Sequence, residues 1–203
     1  FPLPQAARLI ARAAVRQQIK HGRGEKIPWG ISESQYYRFD QDGNYQYRAF
    51  GVNRLRLQPS RYPARVAAPY AAQLAVMIDP VQAMINLRHL IRLGCYGRYG
   101  LYEAIDYTDV PRGSNSAVEN EVDRSVGIQS SSGRIVRSHM AHHMGMGLLA
   151  TDNILNGNII KKRFHASAVA AAAESLLEET VSGPLIVSGG RHFTLSSLEQ
   201  ETG

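Results

Sequence analysis

The sequence predicts an all-α fold built from paired helices. Apolar residues recur at helical spacing in several segments, and prolines or glycines mark short connections between them. Stacked helical hairpins form either a solenoid or a closed α/α toroid. The sequence contains no repeat of fixed length, which argues against a solenoid. We therefore expect an α/α toroid, with aromatic loops between the helices.

Local sequence signals place the individual helices. Pro69 falls in or near the first turn of one predicted helix, where proline is tolerated. Asp79 and Pro80 are a typical N-cap and first position of the next helix, and Gly94 is suited to end it. The predicted helices cover residues 6–19, 65–78, 80–93, 134–155 and 167–179, with a short helical turn through Phe164.

Two segments between the helices are rich in aromatic residues and glycine. Residues 28–51 have no sustained helical period, and the turn sequence DQDGN at 40–44 predicts a short β-hairpin or an ordered loop. Residues 97–108 read GRYGLYEAIDYT. Residues 109–133 are polar and rich in serine and asparagine, which predicts a mobile surface insertion.

The composition indicates one domain of ordinary size. The 203 residues are 44% hydrophobic and 20% charged, enough for a hydrophobic core. We assign residues 1–180 to the domain and residues 181–203 to a weakly packed tail, because glycine and proline are frequent there. No apolar run has the length of a membrane span, and the N-terminus lacks a signal-peptide pattern. The single cysteine, Cys95, fits a reducing compartment.

The net charge of +6 does not by itself predict a nucleic-acid partner. Arginines are spread over the predicted helices, and leucine and proline interrupt their densest cluster, at residues 54–65. We expect neither nucleic acid nor a membrane surface to be the principal ligand.

Two carboxylates are candidates for catalysis. Glu33 lies in PWGISES and Glu103 in GRYGLYEAIDYT, with Asp106 three residues later. Cleavage of a glycosidic bond needs two carboxyl groups facing it, and aromatic side chains offer flat apolar faces to sugar rings. The residues equally allow a helix-capping role for Glu33 and an ion pair between Glu103 and Arg98.

A histidine group in RSHMAHHMGMGLL is the strongest metal-like feature. On a helix, His139 would lie beside His142 and His143, a geometry that can bind zinc. No glutamate stands between the histidines as in a metalloprotease motif. We favour the alternative in which they line a cleft or hydrogen-bond to carboxylates, and we predict no metal and no cofactor.

Several segments together resemble the glucoamylase-like domain of cyclic β-1,2-glucan synthases and its stand-alone relatives. They occur in the order of that family between about residues 13 and 166. The matching segments are AAVRQQIKHG, PWGISES, NYQYRAFGV, APYAAQLAVMIDP, NLRHL, GRYGLYEAIDYT, RSHMAHHMGMGLLA and KKRFHA. The chain matches roughly the later half of that domain.

The resemblance implies an (α/α)6 toroid that is incomplete in this chain, completed by a partner chain or by a missing half of the domain. It implies hydrolysis or transglycosylation of β-1,2-glucan with Glu33 and Glu103 as catalytic residues, and it leaves open which one is the acid. The side chains that it places in a substrate site are Trp29, Gln46, Tyr47, Tyr102, Asp106, Tyr107, His142 and His143. The implied location is the cytoplasm or the cytoplasmic face of the inner membrane, as part of a larger synthase, with the periplasm as the alternative.

A second interpretation keeps the fold but not the reaction. In it, the chain is a non-catalytic or degenerate carbohydrate-binding remnant that needs a partner chain. Whether Glu33 and Glu103 face one cleft distinguishes this interpretation from the enzymatic one.

Overall fold

The computed structural model describes residues 3–49, 51–57, 65–109, 133–174, 185–187 and 191–193. Its helices are α1 (Leu3–Glu25), α2 (Pro69–Ala75), α3 (Pro80–Arg92), α4 (Ala141–Leu155), α5 (Ile159–His165) and α6 (Ala168–Glu174), with a 3-10 turn at Asn53–Leu55. Its strands are β1 (Ser34–Phe39), β2 (Tyr45–Arg48), β3 (Val66–Ala67), β4 (Tyr96–Gly97), β5 (Gly100–Leu101), β6 (Ala104–Asp106), β7 (Arg134–Val136), β8 (Leu185–Val187) and β9 (Arg191–Phe193).

The all-α prediction is only partly right, because short antiparallel strands connect the helices. β1 and β2 form the hairpin that the turn sequence predicts. β3, β6 and β7 form a three-stranded sheet in that order. The predicted helix at 65–78 therefore begins only at Pro69, and the predicted helix at 134–155 begins only at Ala141. His139 consequently precedes α4 instead of lying on it.

The predicted insertion lies almost entirely outside the described residues, and so does most of the predicted tail. Within the tail, β8 pairs with β9 as an antiparallel hairpin. The domain boundary at residue 180 stays a prediction. Among the helices that the structure describes, none is long and apolar enough to cross a membrane.

Helix α3 follows its sequence signals closely. The Asp79 side chain accepts a hydrogen bond of 3.1 Å from the backbone N–H of Gln82, and Pro80 is the first helical residue. The cap satisfies one of the N–H groups that have no partner inside the helix. Ala83, Leu87 and Leu90 are buried along one face, at helical spacing.

The main chain of the segment that carries Glu33 is hydrogen-bonded to a side chain of α1 and to the residue that precedes α2. Gln18 of α1 donates to the carbonyl of Ile31 at 2.7 Å and accepts from its N–H at 2.8 Å. Gly30 has a φ of 121°, and a Cβ there would lie 2.9 Å from the carbonyl oxygen of Ala68. Only glycine allows this conformation together with this close approach. The exit of the chain toward Glu33 is therefore fixed.

Asn86 fixes the other end of the same segment. Its side chain accepts from the backbone N–H of Trp29 at 3.3 Å and donates to the backbone carbonyl of Trp29 at 2.8 Å. Both residues are buried. Asn86 thereby satisfies two main-chain groups that have left water.

Replacing Asn86 by alanine is expected to lower the free energy of unfolding by about 2–4 kcal/mol, because it leaves two buried backbone groups without this partner. Urea denaturation followed by circular dichroism measures the change. Arg88→Ala, at an exposed position of the same helix, is the matched control and should change stability by less than about 0.5 kcal/mol. A loss below about 1 kcal/mol for Asn86→Ala would show that water replaces the side chain.

Candidate active site

Five of the predicted site residues converge at one place. Glu33 precedes β1, Tyr47 lies on β2, Glu103 precedes β6, and His142 and His143 are in the first turn of α4. The β1–β2 register sets Gln35 opposite Tyr47, and the backbone N–H of Gln35 donates to Glu103 Oε1 at 3.3 Å. The hairpin therefore brings Tyr47 to Glu33 and holds the neighbouring strand against Glu103.

Glu33 is the solvent-accessible carboxylate of the pair. Its side chain is 43% exposed. Its Oε1 accepts a hydrogen bond from the Tyr47 hydroxyl at 2.9 Å. The same oxygen lies 3.8 Å from His142 Nε2 and 3.9 Å from His143 Nε2. Glu33 thus borders both solvent and the histidine pair.

Glu103 is the buried carboxylate. Its side chain is only 1% exposed, and both of its oxygens lie 3.0 Å from His143 Nδ1. A carboxylate accepts hydrogen bonds, so the proton on Nδ1 points to Glu103 and Nε2 points the other way. Glu103 consequently fixes the orientation of the His143 ring and holds a proton on its Nδ1.

Tyr70 of α2 holds the His143 ring from its face. The two rings stack with centroids 3.8 Å apart and an angle of 9° between their planes. The Tyr70 hydroxyl shares a 2.6 Å hydrogen bond with Ser32 Oγ and donates to the carbonyl of Glu33 at 3.3 Å. Burial raises the pKa of Tyr70 above that of an ordinary tyrosine. Tyr70 therefore links the Glu33 segment to the His143 ring.

The Tyr47 hydroxyl is the centre of the cluster. Besides Glu33, it lies 2.9 Å from His142 Nε2 and 3.1 Å from His143 Nε2. Burial raises the pKa of Tyr47 strongly, and its hydrogen bond to Glu33 and the charge of Glu33 raise it further. The hydroxyl therefore keeps its proton at physiological pH.

The structure does not bring four of the other predicted residues to this cluster. Trp29 and Tyr107 are buried in the core, where aromatic side chains gain most from leaving water. Asp106 accepts from the backbone N–H groups of Tyr37 at 3.0 Å and Thr108 at 2.8 Å. Gln46 accepts from Arg48 at 3.0 Å on the hairpin surface. Their substrate-binding roles stay predictions.

Tyr102 lies nearer to the cluster, at a small cavity that Glu103 and His143 also line. His139 closes another side of this cavity, and its Nδ1 lies 3.1 Å from the carbonyl oxygen of Leu101. Tyr102 therefore lies close to Glu103, and its substrate-binding role stays a prediction.

Sequence reasoning missed the residues that support the cluster. Tyr70 occurs in the segment APYAAQLAVMIDP, where an aromatic residue on an alanine-rich helix was the available signal. Ser138 donates to Gln35 Oε1 at 2.7 Å and anchors the strand that contacts Glu103. Neither contact follows from sequence spacing, because each joins segments far apart in the chain.

Three of the cluster residues also offer metal-type donor atoms. Glu33, His142 and His143 each present one such atom, and all three atoms lie within 4.8 Å of one another. The Tyr47 hydroxyl is within hydrogen-bond distance of the same three atoms, so hydrogen bonding accounts for their convergence. We assign none of them as a metal ligand, and the absence of a metal stays a prediction.

Cys95 is unsuited to nucleophilic chemistry. The thiol is buried in the core, and burial raises its pKa to about 12. A nucleophilic cysteine needs a lowered pKa and access to substrate. Within the described residues, the carboxylate–histidine–tyrosine cluster is therefore the best candidate for a catalytic centre.

Comparison with known proteins supports a carbohydrate-active origin. The model of the putative glucoamylase family matches residues 6–168. The cyclic β-(1,2)-glucan synthase NdvB of Rhizobium meliloti (strain 1021) is 40% identical over 167 residues, which cover 81% of this chain and 5% of that protein. The chain therefore spans only a small part of the curated relative that it matches.

Solved structures show the same fold at low sequence identity. An endo-β-1,2-glucanase from Chitinophaga pinensis has a TM-score of 0.50 at 18% identity, with 84% of this chain and 33% of that chain covered. A putative glucoamylase from Bacteroides caccae has a TM-score of 0.51 at 20% identity, with 86% and 34% covered. The match of the family model over most of the chain shows that this protein belongs to the putative glucoamylase family.

Proposed function

We propose that this chain is part of a glycoside hydrolase or transglycosylase domain that acts on β-1,2-glucan, with Glu33 and Glu103 as its working pair. One observation carries the proposal: the imidazole of His143 lies between the two carboxyl groups, 3.0 Å from Glu103 and 3.9 Å from Glu33. Two coupled carboxyl groups in different environments are the arrangement that glycosidic cleavage requires.

The surroundings of the two groups suit different tasks. Glu33 is half-buried, and its side chain is open enough to solvent to reach a glycosidic oxygen or an anomeric carbon. Glu103 is buried, and its charge is balanced by hydrogen bonds from His143 and Gln35. The names of the relatives narrow the substrate to β-1,2-glucan, since one is a β-1,2-glucan synthase and another an endo-β-1,2-glucanase.

We also propose that further helices complete an α/α toroid around this site. The solved relatives are about three times as long as the segment that they share with this chain. Large apolar side chains are exposed on the described helices, among them Leu148, Leu155, Phe164 and Val169. Exposed apolar surface of this kind is typical of an interface. A partner chain or a missing half of the domain would cover it.

A comparison of substrates tests the proposed specificity. Release of reducing ends is measured with linear β-1,2-glucan, a β-1,3-glucan, a β-1,4-glucan and starch at equal concentrations of sugar. We expect release from β-1,2-glucan only. Release from starch instead would assign the chain to α-glucan chemistry, as the family name suggests.

The alternative function is binding without turnover. The burial of Glu103 favours it, because a carboxylate that is 1% exposed does not contact a sugar in this arrangement. Calorimetric titration with β-1,2-linked oligosaccharides would then show binding, while no product forms over long incubation. Product formation that depends on Glu33 would exclude this alternative.

Removal of metal ions is expected to leave the activity unchanged. The Tyr47 hydroxyl donates to Glu33 and lies within hydrogen-bond distance of His142 and His143, so proton transfer between these groups needs no Lewis acid. The test is turnover after dialysis against EDTA, with and without added zinc. Loss of activity that zinc restores would contradict the prediction and assign the cluster as a metal site.

A further inference from the structure

We propose that Tyr47 relays a proton between His143 and Glu33. This proposal rests on the proposed function, and it gives the tyrosine a part in the reaction that differs from sugar binding. His143 Nε2 and Glu33 Oε1 are 3.9 Å apart, which is too far for a direct hydrogen bond. The Tyr47 hydroxyl lies between them, 3.1 Å from the nitrogen and 2.9 Å from the oxygen. The hydroxyl therefore connects the two groups through two hydrogen bonds.

The orientation of His143 favours this path. Glu103 holds the Nδ1 side of the ring, and the stacked Tyr70 ring covers its face. Nε2 is therefore the nitrogen that faces Tyr47. The ring has no need to rotate for a proton to pass, because its donor and acceptor directions are already set.

The proton count is consistent with a relay. When the Tyr47 hydroxyl donates to Glu33, its oxygen is free to accept from an Nε2–H of His143. Because Nδ1–H donates to Glu103, the ring in this state is an imidazolium between two carboxylates. The single positive charge of the ring is flanked by two negative charges, so the three groups together carry a net charge of −1.

One transfer then changes only the two end groups. The Nε2–H bond of His143 breaks as a new O–H bond forms on Tyr47, and the original O–H bond of Tyr47 breaks as an O–H bond forms on Glu33. An imidazolium and a carboxylate become an imidazole and a carboxylic acid. Tyr47 is neutral before and after, in keeping with its raised pKa. The reverse transfer restores the carboxylate.

Other polar groups also face Glu33. Tyr70 of α2 donates to its backbone carbonyl, Ser32 precedes it in the chain, and Glu103 lies behind His143. His142 is 53% exposed and lies 2.9 Å from the same Tyr47 hydroxyl. His142 thereby connects the relay to protons from water.

Tyr47→Phe tests the relay, because phenylalanine keeps the ring and removes only the hydroxyl. We expect kcat on β-1,2-glucan to fall about tenfold or more, while KM changes less than about twofold. The variant also removes the hydrogen bond that Tyr47 donates to Glu33, so at least one limb of the pH–rate profile should move.

The matched control is Tyr45→Phe, at an exposed position of the same strand. It should leave kcat and both limbs unchanged. A rise in KM with an unchanged kcat and unchanged limbs for Tyr47→Phe would overturn the relay and leave Tyr47 as a sugar contact. Identical behaviour of the two variants would overturn the relay as well.

A second measurement does not depend on catalysis. In nitrogen NMR of the His143 ring, the Nε2 resonance should show a step when Glu33 titrates, and Glu33→Gln should remove it. Tyr47→Phe should abolish the step, and Tyr45→Phe should preserve it. If the unmodified chain shows the step but no glucanase activity, and Tyr47→Phe abolishes the step, the proposed function is refuted and the relay is retained. A step that survives in folded Tyr47→Phe would refute the relay, as would its absence from the unmodified chain.

Discussion

Replacing Glu103 by glutamine is expected to lower the turnover of β-1,2-glucan by about 10²- to 10⁴-fold, with little loss of folding. Glutamine has the shape of glutamate, and its carbonyl can still accept from His143 Nδ1. It carries no charge, so the imidazolium form of His143 loses its counterion. A buried charge is retained only where it is paired. The variant therefore removes the negative charge at position 103 and preserves the packing of the side chain.

The measurement combines steady-state kinetics with thermal denaturation. Glu174→Gln is the matched control, because that glutamate lies on α6, whose described side chains are largely exposed. It should leave turnover unchanged. Unchanged turnover in Glu103→Gln would remove Glu103 from the mechanism, and the pair would have to be found elsewhere.

Truncation of Glu33 to alanine is expected to cause a loss of similar size, about 10²- to 10⁴-fold, that small external carboxylates partly reverse. The side chain of Glu33 is 43% exposed, so the space that it leaves opens to solvent and admits formate. The side chain of Glu103 is 1% exposed, and the site behind His143 is closed. Formate should therefore restore turnover in Glu33→Ala and not in Glu103→Ala.

The rescue experiment is a titration of each variant with sodium formate, with sodium chloride as the control for ionic strength. Both proteins are first shown to be folded by circular dichroism. Equal rescue of the two variants would mean that formate reaches the Glu103 position from solvent, against its burial behind His143. Absence of rescue in both would argue against direct contact between Glu33 and the substrate.

Local signals in the sequence predicted those helices whose ends are marked by capping residues, proline or glycine. Helix α3 is the clearest case, since Asp79, Pro80 and Gly94 act within a few residues of where they stand. Pairing between distant residues escaped prediction. Val66 pairs with Asp106, and Asp106 pairs with Arg134, so this sheet depends on contacts that no local pattern encodes. The helix predicted from residue 65 began too early for that reason.

In the candidate site, too, some residues were predictable from the sequence, whereas contacts between distant residues were not. Aromatic surroundings and a family resemblance singled out Glu33 and Glu103, and the structure places His143 between them. The stack of Tyr70 on His143 was not predictable, because it requires α2 and α4 to pack face to face. The family resemblance placed Trp29 in the substrate site, and the structure places its side chain in the core, where Asn86 binds its backbone.

Mass spectrometry of the products from linear β-1,2-glucan tests the central claim most directly. We predict shorter chains if water accepts the glycosyl group, or rings one water lighter than their linear counterparts if a sugar hydroxyl accepts it. Both products should disappear in Glu33→Gln. Unchanged substrate after incubation with a folded sample, alone and with the remainder of the domain supplied, would contradict the account and favour a binding remnant.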